Sequence, residues 1–239
     1  MSDETQRAAG LAYLTGQSTG GAQPRAVGLK FLPDGQVMGY SGNTFICHIP
    51  AGDAHNALEQ AARQLRSGPV ASAFAFLPPS SYHMTVFEGV SDSDRGNGRW
   101  PDWIDPLASV DAVTKAFLPR VQGLDLHTSV SIRPTGLFGG FSVRADGATD
   151  ADTSRLWQAR SALRRATGIR RPDFATYGFH ITLAYLLRWL SPDEAETVMG
   201  LSDIVEAKLL AAAPQMTLGG VEFCGFANMH AFPLITRLS

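Results

Sequence analysis

The chain has 239 residues, 44% of them hydrophobic and 18% charged, with a formal net charge of −2. That balance fits a globular domain with a full apolar core, and it excludes binding to nucleic acid through bulk positive charge, so any basic patch has to be local. Cys47 and Cys224 are too few for a disulfide framework, and no apolar stretch approaches the roughly 18 residues of a membrane span. The start, Met1-Ser2-Asp3-Glu4-Thr5, lacks the basic and apolar regions of a signal peptide, so the expected location is the cytoplasm, with both thiols free.

Residues 1–28 are rich in Gly, Ala, Ser, Thr and Gln and read as a flexible arm with a short helix over 8–14. Order is expected from residue 29, with Pro33-Asp34-Gly35 turning a β-hairpin. Residues 45–49 read as a strand closed by Pro50. A helix follows over 53–66, N-capped by Asp53 and stopped by Gly68-Pro69, with Leu58, Ala61, Ala62 and Leu65 on one face. Strands are expected over 72–77 and 82–90, and a long Gly/Asp/Pro-rich loop over 91–108 carries Arg95 and Arg99. A short helix over 109–120 precedes strands over 125–132 and 137–144. A helix over 152–167 then ends at Gly168, and a strand spans 177–187. Ser191-Pro192-Asp193-Glu194 is a helix start with Ser at the cap, Pro at the first turn and Glu three residues on; this helix runs to about residue 212, with a possible break at Gly200. Residues 216–223 and 226–234 close the chain as an antiparallel pair.

This order contains a weak repeat. Strand, helix and a strand carrying His-x-Thr occur twice, with 38 residues from Phe45 to His83 and 39 from Phe141 to His180. The two elements are His83-Met84-Thr85 and His180-Ile181-Thr182. On a strand, residues i and i+2 share a face, so each element offers an imidazole and a hydroxyl on one side and apolar anchors on the other. Facing lobes would bring the two polar pairs together across a cleft. Imidazole titrates near neutrality, so one ring can take a proton while the other delivers one, and the hydroxyls can hold phosphate oxygens. That is phosphodiester chemistry, and the scheme requires no metal. A lone His-x-Thr is commonplace; two copies in equivalent positions of a repeated unit are not.

On these residues, with Val86 and Leu183 completing each motif, the chain resembles the 2H phosphoesterase superfamily. That group includes RNA 2′,5′-ligase-like proteins, plant and yeast cyclic phosphodiesterases and 2′,5′-oligonucleotide phosphodiesterases. The text around Gly42-Asn43-Thr44-Phe45 and Pro78-Pro79-Ser80-Ser81-Tyr82-His83 is similar to a bacterial and fungal branch of it without an obvious substrate. The resemblance spans about residues 30–235. It implies an α+β, bilobal fold with a pseudo-two-fold repeat: two antiparallel sheets around a central cleft, helices outside. It also implies a single domain over 29–239, with halves at 29–122 and 123–239, and one histidine as acid with the other as base.

The expected site is therefore His83 and His180 as catalytic groups and Thr85 and Thr182 as phosphate ligands, with no cofactor and no metal. Phe87 shares the parity of His83 and Thr85 and could stack a base; Tyr82, Tyr177 and His48 are further candidates for substrate contact. Tyr185 has the wrong parity and is expected in the core. His48, His83 and His180 could instead gather zinc, although no carboxylate completes a known spacing. His127 and His230 read as structural and His55 as exposed. Arg160, Arg164, Arg165, Arg170 and Arg171 form a basic stretch, read as a solvated face in preference to a polyanion guide, and Arg95 and Arg99 could close over a phosphate. The expected partner is a nucleotide or RNA-end phosphodiester, with no membrane and no obligate protein partner. The competing reading is a module that binds a nucleotide or RNA end in the same cleft without turnover.

Overall fold

The computed structural model describes residues 3–126 and 129–238. Its helices are α1 (Asp3–Leu14), α2 (Asp53–Arg66), α3 (Val110–Val121), α4 (Asp150–Thr167) and α5 (Pro192–Ala212). Its strands are β1 (Gly42–His48), β2 (Phe74–Phe76), β3 (His83–Ser91), β4 (Ser131–Phe138), β5 (Ser142–Gly147), β6 (His180–Thr182), β7 (Ala184–Leu186), β8 (Met216–Thr217), β9 (Glu222–Phe226) and β10 (Leu234–Arg237). Eight strands form one curled antiparallel sheet in the order β10-β9-β1-β3-β6-β5-β4-β8, and β2 pairs with β7 separately.

The fold is α+β, but the two expected sheets are joined. β3 of the first half and β6 of the second meet in register at Met84 and Ile181, and this seam makes one sheet of what the repeat suggested were two. Both seam residues are fully buried, so the apolar anchors of the two motifs close the junction from the core side. That register sets His83 opposite Thr182 and Thr85 opposite His180.

The expected free arm is instead a docked helix. Leu14 of α1 is fully buried in an apolar cluster with Leu186, Leu190, Ala195 and Met199, and Arg7 pairs with Glu196 and Asp203 of α5 at 2.7 and 2.6 Å. The small-residue composition hid an apolar edge formed by Leu11 and Leu14, one helical turn apart. The hairpin after residue 29 is reduced to one antiparallel bridge, Phe31 to Val37, around the Pro33-Asp34-Gly35 turn, and Phe31 is also bridged in parallel to Val27.

Helix ends follow local chemistry. Ser191 accepts from Glu194 N while the Glu194 carboxylate accepts from Ser191 N, and α5 runs on through Gly200. At α2, Gly52 occupies the cap position and Asp53 is the first helical residue, so the expected Asp53 cap is displaced by one. Expected strands over 125–132 and 137–144 are shifted, because Gly139 and Gly140, at φ 58° and 73°, turn the chain between β4 and β5. Part of the first of these strands, with His127, lies outside the described residues. The expected strand over 177–187 breaks at Leu183, leaving β6 in the main sheet and β7 against β2. At the end of the chain, β8 pairs with β4, while β9 and β10 are joined near Cys224 and Leu234.

No helix among the described residues is long and apolar enough to cross a membrane. Cys47 and Cys224 are free and buried, and burial pushes both thiols up to about 12.

Candidate active site

A cavity of about 370 Å³ lies over the seam, and His83, Thr85, His180 and Thr182 all line it. The sheet supplies these four through β3 and β6. Residues between 25 and 40, including Ala26, Leu29 and Tyr40, supply further lining, so part of the expected arm helps to enclose the site.

Both imidazoles are oriented by the same local device. His83 Nδ1 lies 2.7 Å from the Ser81 carbonyl and His180 Nδ1 lies 2.9 Å from that of Gly178, in each case the residue two positions upstream. A carbonyl only accepts, so Nδ1 carries a proton in both rings, and Nε2 is the lone pair of a neutral ring or the second donor of a protonated one.

Their surroundings differ. The His83 ring packs 4.2 Å from the Phe232 ring, centroid to centroid. Burial lowers its pKa to about 4; the Ser81 carbonyl opposes that shift, and the charges of His48, His180 and Lys30 add to it. His180 is half-buried, with the Tyr177 ring 5.9 Å away.

A β-bulge decides what else enters the cavity. Ile46 pairs with Thr85 but Phe45 pairs with Phe87, so Val86 is the extra residue. The bulge reverses parity beyond Thr85. Phe87, expected at the cleft, is fully buried against Phe45 and Phe174, and Glu88 takes the cavity position. The Val86 carbonyl accepts from Nη1 of Arg160 at 2.5 Å.

Arg160 overturns the expectation of a solvated basic face. Its side chain is fully buried, 3.8 Å from the Tyr177 ring centroid and within 6 Å of the rings of Phe87, Trp157, Phe174 and Phe179. Its Nε and Nη2 have no hydrogen-bond partner among the described residues; the aromatic faces surround the cation instead. Tyr177 completes the link between the motifs: it lines the cavity, and its hydroxyl donates to the Thr85 carbonyl at 3.3 Å. Burial raises its pKa strongly. One buried guanidinium thus braces the bulge beside the first motif and the tyrosine beside the second.

The remaining candidates scatter. Tyr82 alternates away from His83 into the core, where burial raises its pKa to about 12, so it does not line the cavity. His48 does not line it either. It sits across from His83 in the β1–β3 ladder, rings 6.4 Å apart, with Nδ1 held 2.6 Å from Glu222. His48, Glu222 and Cys224 bring their ligand atoms within 4.8 Å of one another, the one such group of three metal-type donors among the described residues. Tyr185 does line the cavity, because the break at Leu183 removes it from the register of His180. His55 is part-buried, its Nε2 3.1 Å from the Pro79 carbonyl. His230 packs 6.2 Å from the Phe31 ring. In the long loop, Arg95 is spent on the carbonyls of Pro106 and Ala108, whereas Arg99 reaches the cavity and pairs with Asp94. Arg171 also reaches it, 3.2 Å from Glu88, while Arg164 and Arg165 remain exposed. Lys30, Glu88 and Asn43 were not singled out from the sequence, since no local pattern distinguishes them from other polar residues.

The fold is that of a family. A conserved protein of unknown function from Agrobacterium tumefaciens, ATU0111, has a crystal structure that superposes at a TM-score of 0.91 over 100% of both chains, with 30% sequence identity. Residues 30–137 match the family model 2H-phosphodiest, described as a domain of unknown function (DUF1868). Full-length likeness at that identity places the chain in the family of the Agrobacterium protein. TT0787 of Thermus thermophilus shares 15% identity over 82% of this chain and 96% of its own, at a TM-score of 0.44. Among curated proteins none matches.

Proposed function

We propose that the chain is a phosphodiesterase in which His83 removes a proton, His180 delivers one, and Thr85 and Thr182 hold the non-bridging phosphate oxygens. The substrate in this reading is a 2′,3′-cyclic or 2′-linked phosphodiester of a nucleotide or RNA end, met in the cytoplasm. The observation that carries it is the pairing of two imidazoles on one cavity, each fixed through Nδ1 and each with Nε2 uncommitted among the described residues.

The roles follow from environment. With a pKa near 4, His83 is neutral at pH 7 and ready to act as a base. The attacking oxygen bonds to phosphorus and its proton passes to His83 Nε2. The ester P–O bond breaks, and the departing oxygen takes a proton from the His180 imidazolium. Solvent then takes the proton from His83 and returns one to His180, both rings being half-buried on the cavity wall. Charge building on the non-bridging oxygens meets the two threonine hydroxyls. No step calls for a metal ion.

The test is a panel of 2′,3′-cyclic mononucleotides, ADP-ribose cyclic phosphate, 2′,5′-oligoadenylate and cyclic dinucleotides, assayed in EDTA. Turnover of at least one is expected, and it should fall by about 10²-fold or more in both His83→Ala and His180→Ala. Full activity surviving in either single variant would overturn the reading. Tight nucleotide binding with no product across the panel would favour a binding module.

A further inference from the structure

Six charged side chains line the cavity: Arg25, Lys30, Arg99 and Arg171 against Glu88 and Asp94. The three arginines are already committed. Arg25 and Arg99 both pair with Asp94, and Arg171 pairs with Glu88 and Asp173 at 3.2 Å each. Lys30 has no carboxylate partner among the described residues.

Its ammonium is instead held by aromatic groups. Nζ lies 4.8 Å from the Tyr185 ring centroid and 5.0 Å from that of Tyr40, and it donates to the Tyr185 hydroxyl at 3.3 Å. The backbone beneath it is pinned: the Lys30 carbonyl accepts from Met38 N at 2.8 Å, and the adjacent Phe31 is fully buried, 5.2 Å from the Tyr185 ring. An ammonium has three donors, and here one is used. A half-buried cation with spare donors on the wall of a cavity is poised for an anion.

The cavity needs such a charge. The threonine hydroxyls are neutral, His83 is neutral at pH 7, and the His180 proton of the proposed reaction is given up to the departing oxygen, so none of them is a lasting counter-charge to a bound phosphodiester. The Lys30 charge is also felt at His83, which places it within electrostatic range of the motifs.

We infer that Lys30 is an anion-binding residue of this cleft, supplying the permanent positive charge that holds the phosphate group of the substrate. The identity of the anion rests on the phosphodiesterase reading; the existence of the anion site does not.

The experiment is calorimetric titration of the full-length protein with inorganic phosphate. Lys30→Met should weaken binding about tenfold or more, the scale of a lost charge-assisted hydrogen bond. Lys30→Arg should restore most of it, and Arg25→Gln, which removes a cation already paired with Asp94, should change it less than twofold. Circular dichroism of each variant verifies its fold, and a Lys30→Met protein that fails to fold leaves the Lys30→Arg and Arg25→Gln comparison to decide. The inference is overturned if the wild type binds no phosphate, if folded Lys30→Met binds it as the wild type does, or if Arg25→Gln loses as much as the lysine variants. Lys30-dependent binding in a protein that turns over no phosphodiester would sink the phosphodiesterase reading and leave the anion site standing. Turnover with phosphate binding indifferent to Lys30 would do the reverse.

Discussion

His83 and His180 share a sequence pattern, a strand position and the same hydrogen bond to a carbonyl two residues back, yet the molecule treats them differently. His83 lies under Phe232 with His48 and Glu222 behind it, and burial drives its pKa down. Among the described residues His180 has no such ring stacked on it, and it lies 5.9 Å from the ring of a tyrosine braced by a buried guanidinium. The difference teaches that a repeated motif can supply two like groups while the unrepeated surroundings set them in unlike environments. In the proposed reaction, the packing around His83 keeps it neutral and able to accept a proton.

The comparison breaks most completely when either ring is removed. His83→Ala and His180→Ala should each lower kcat by about 10²- to 10⁴-fold, the usual worth of a positioned acid or base, in steady-state assays on whichever panel substrate turns over. Arg160→Ala attacks what the two halves share. It opens a cavity among five aromatic rings and strips the Val86 carbonyl of its donor. A loss of about 3 kcal/mol is expected in urea unfolding, with a fall in kcat as the bulge relaxes.

A pH series sharpens the contrast at His83. The folded protein binds the His83 proton near pH 4, whereas the unfolded chain binds it near the ordinary 6.5. Between those values the unfolded state holds the extra proton. Stability from this residue is therefore complete above pH 6.5 and falls as pH drops toward 4. The ring is only part-buried by exposure, so the loss is up to about 3 kcal/mol. His83→Phe should flatten that part of the curve, read as urea midpoints across pH 4–7. The smallest expected effect is from Phe232→Ala. Wetting the His83 ring should move the acid limb of kcat/KM upward by about one pH unit, or ~1.4 kcal/mol. A limb that stays in place would mean that Phe232 is not what desolvates it.

The parts legible in the sequence were those written locally. Ser191-Pro192-Asp193-Glu194 announces α5 because cap, first turn and third residue are contiguous, and the apolar stripe from Leu58 to Leu65 announces α2. That His83 and His180 line one cavity could be read from the repeated pattern and its spacing. Phe87 was misplaced because strict alternation knows nothing of a bulge, which is settled by the pairing of β3 with β1. Tyr185 failed for a related reason, the change of sheet at Leu183. Arg160 could not have been found locally, since its ring cage is drawn from residues 87, 157, 174, 177 and 179, and an arginine on a helix of mixed polarity reads as solvated. The docking of α1 likewise depends on a cluster assembled from residues near 190 and 199.

The division of roles between the two rings is tested most directly by ¹⁵N NMR of the histidine side chains, titrated from pH 4 to pH 8 in the intact protein. His83 should appear as the neutral tautomer with its proton on Nδ1 and stay so until the pH approaches 4. A His83 ring already protonated at pH 6, or one carrying its proton on Nε2, would contradict the account.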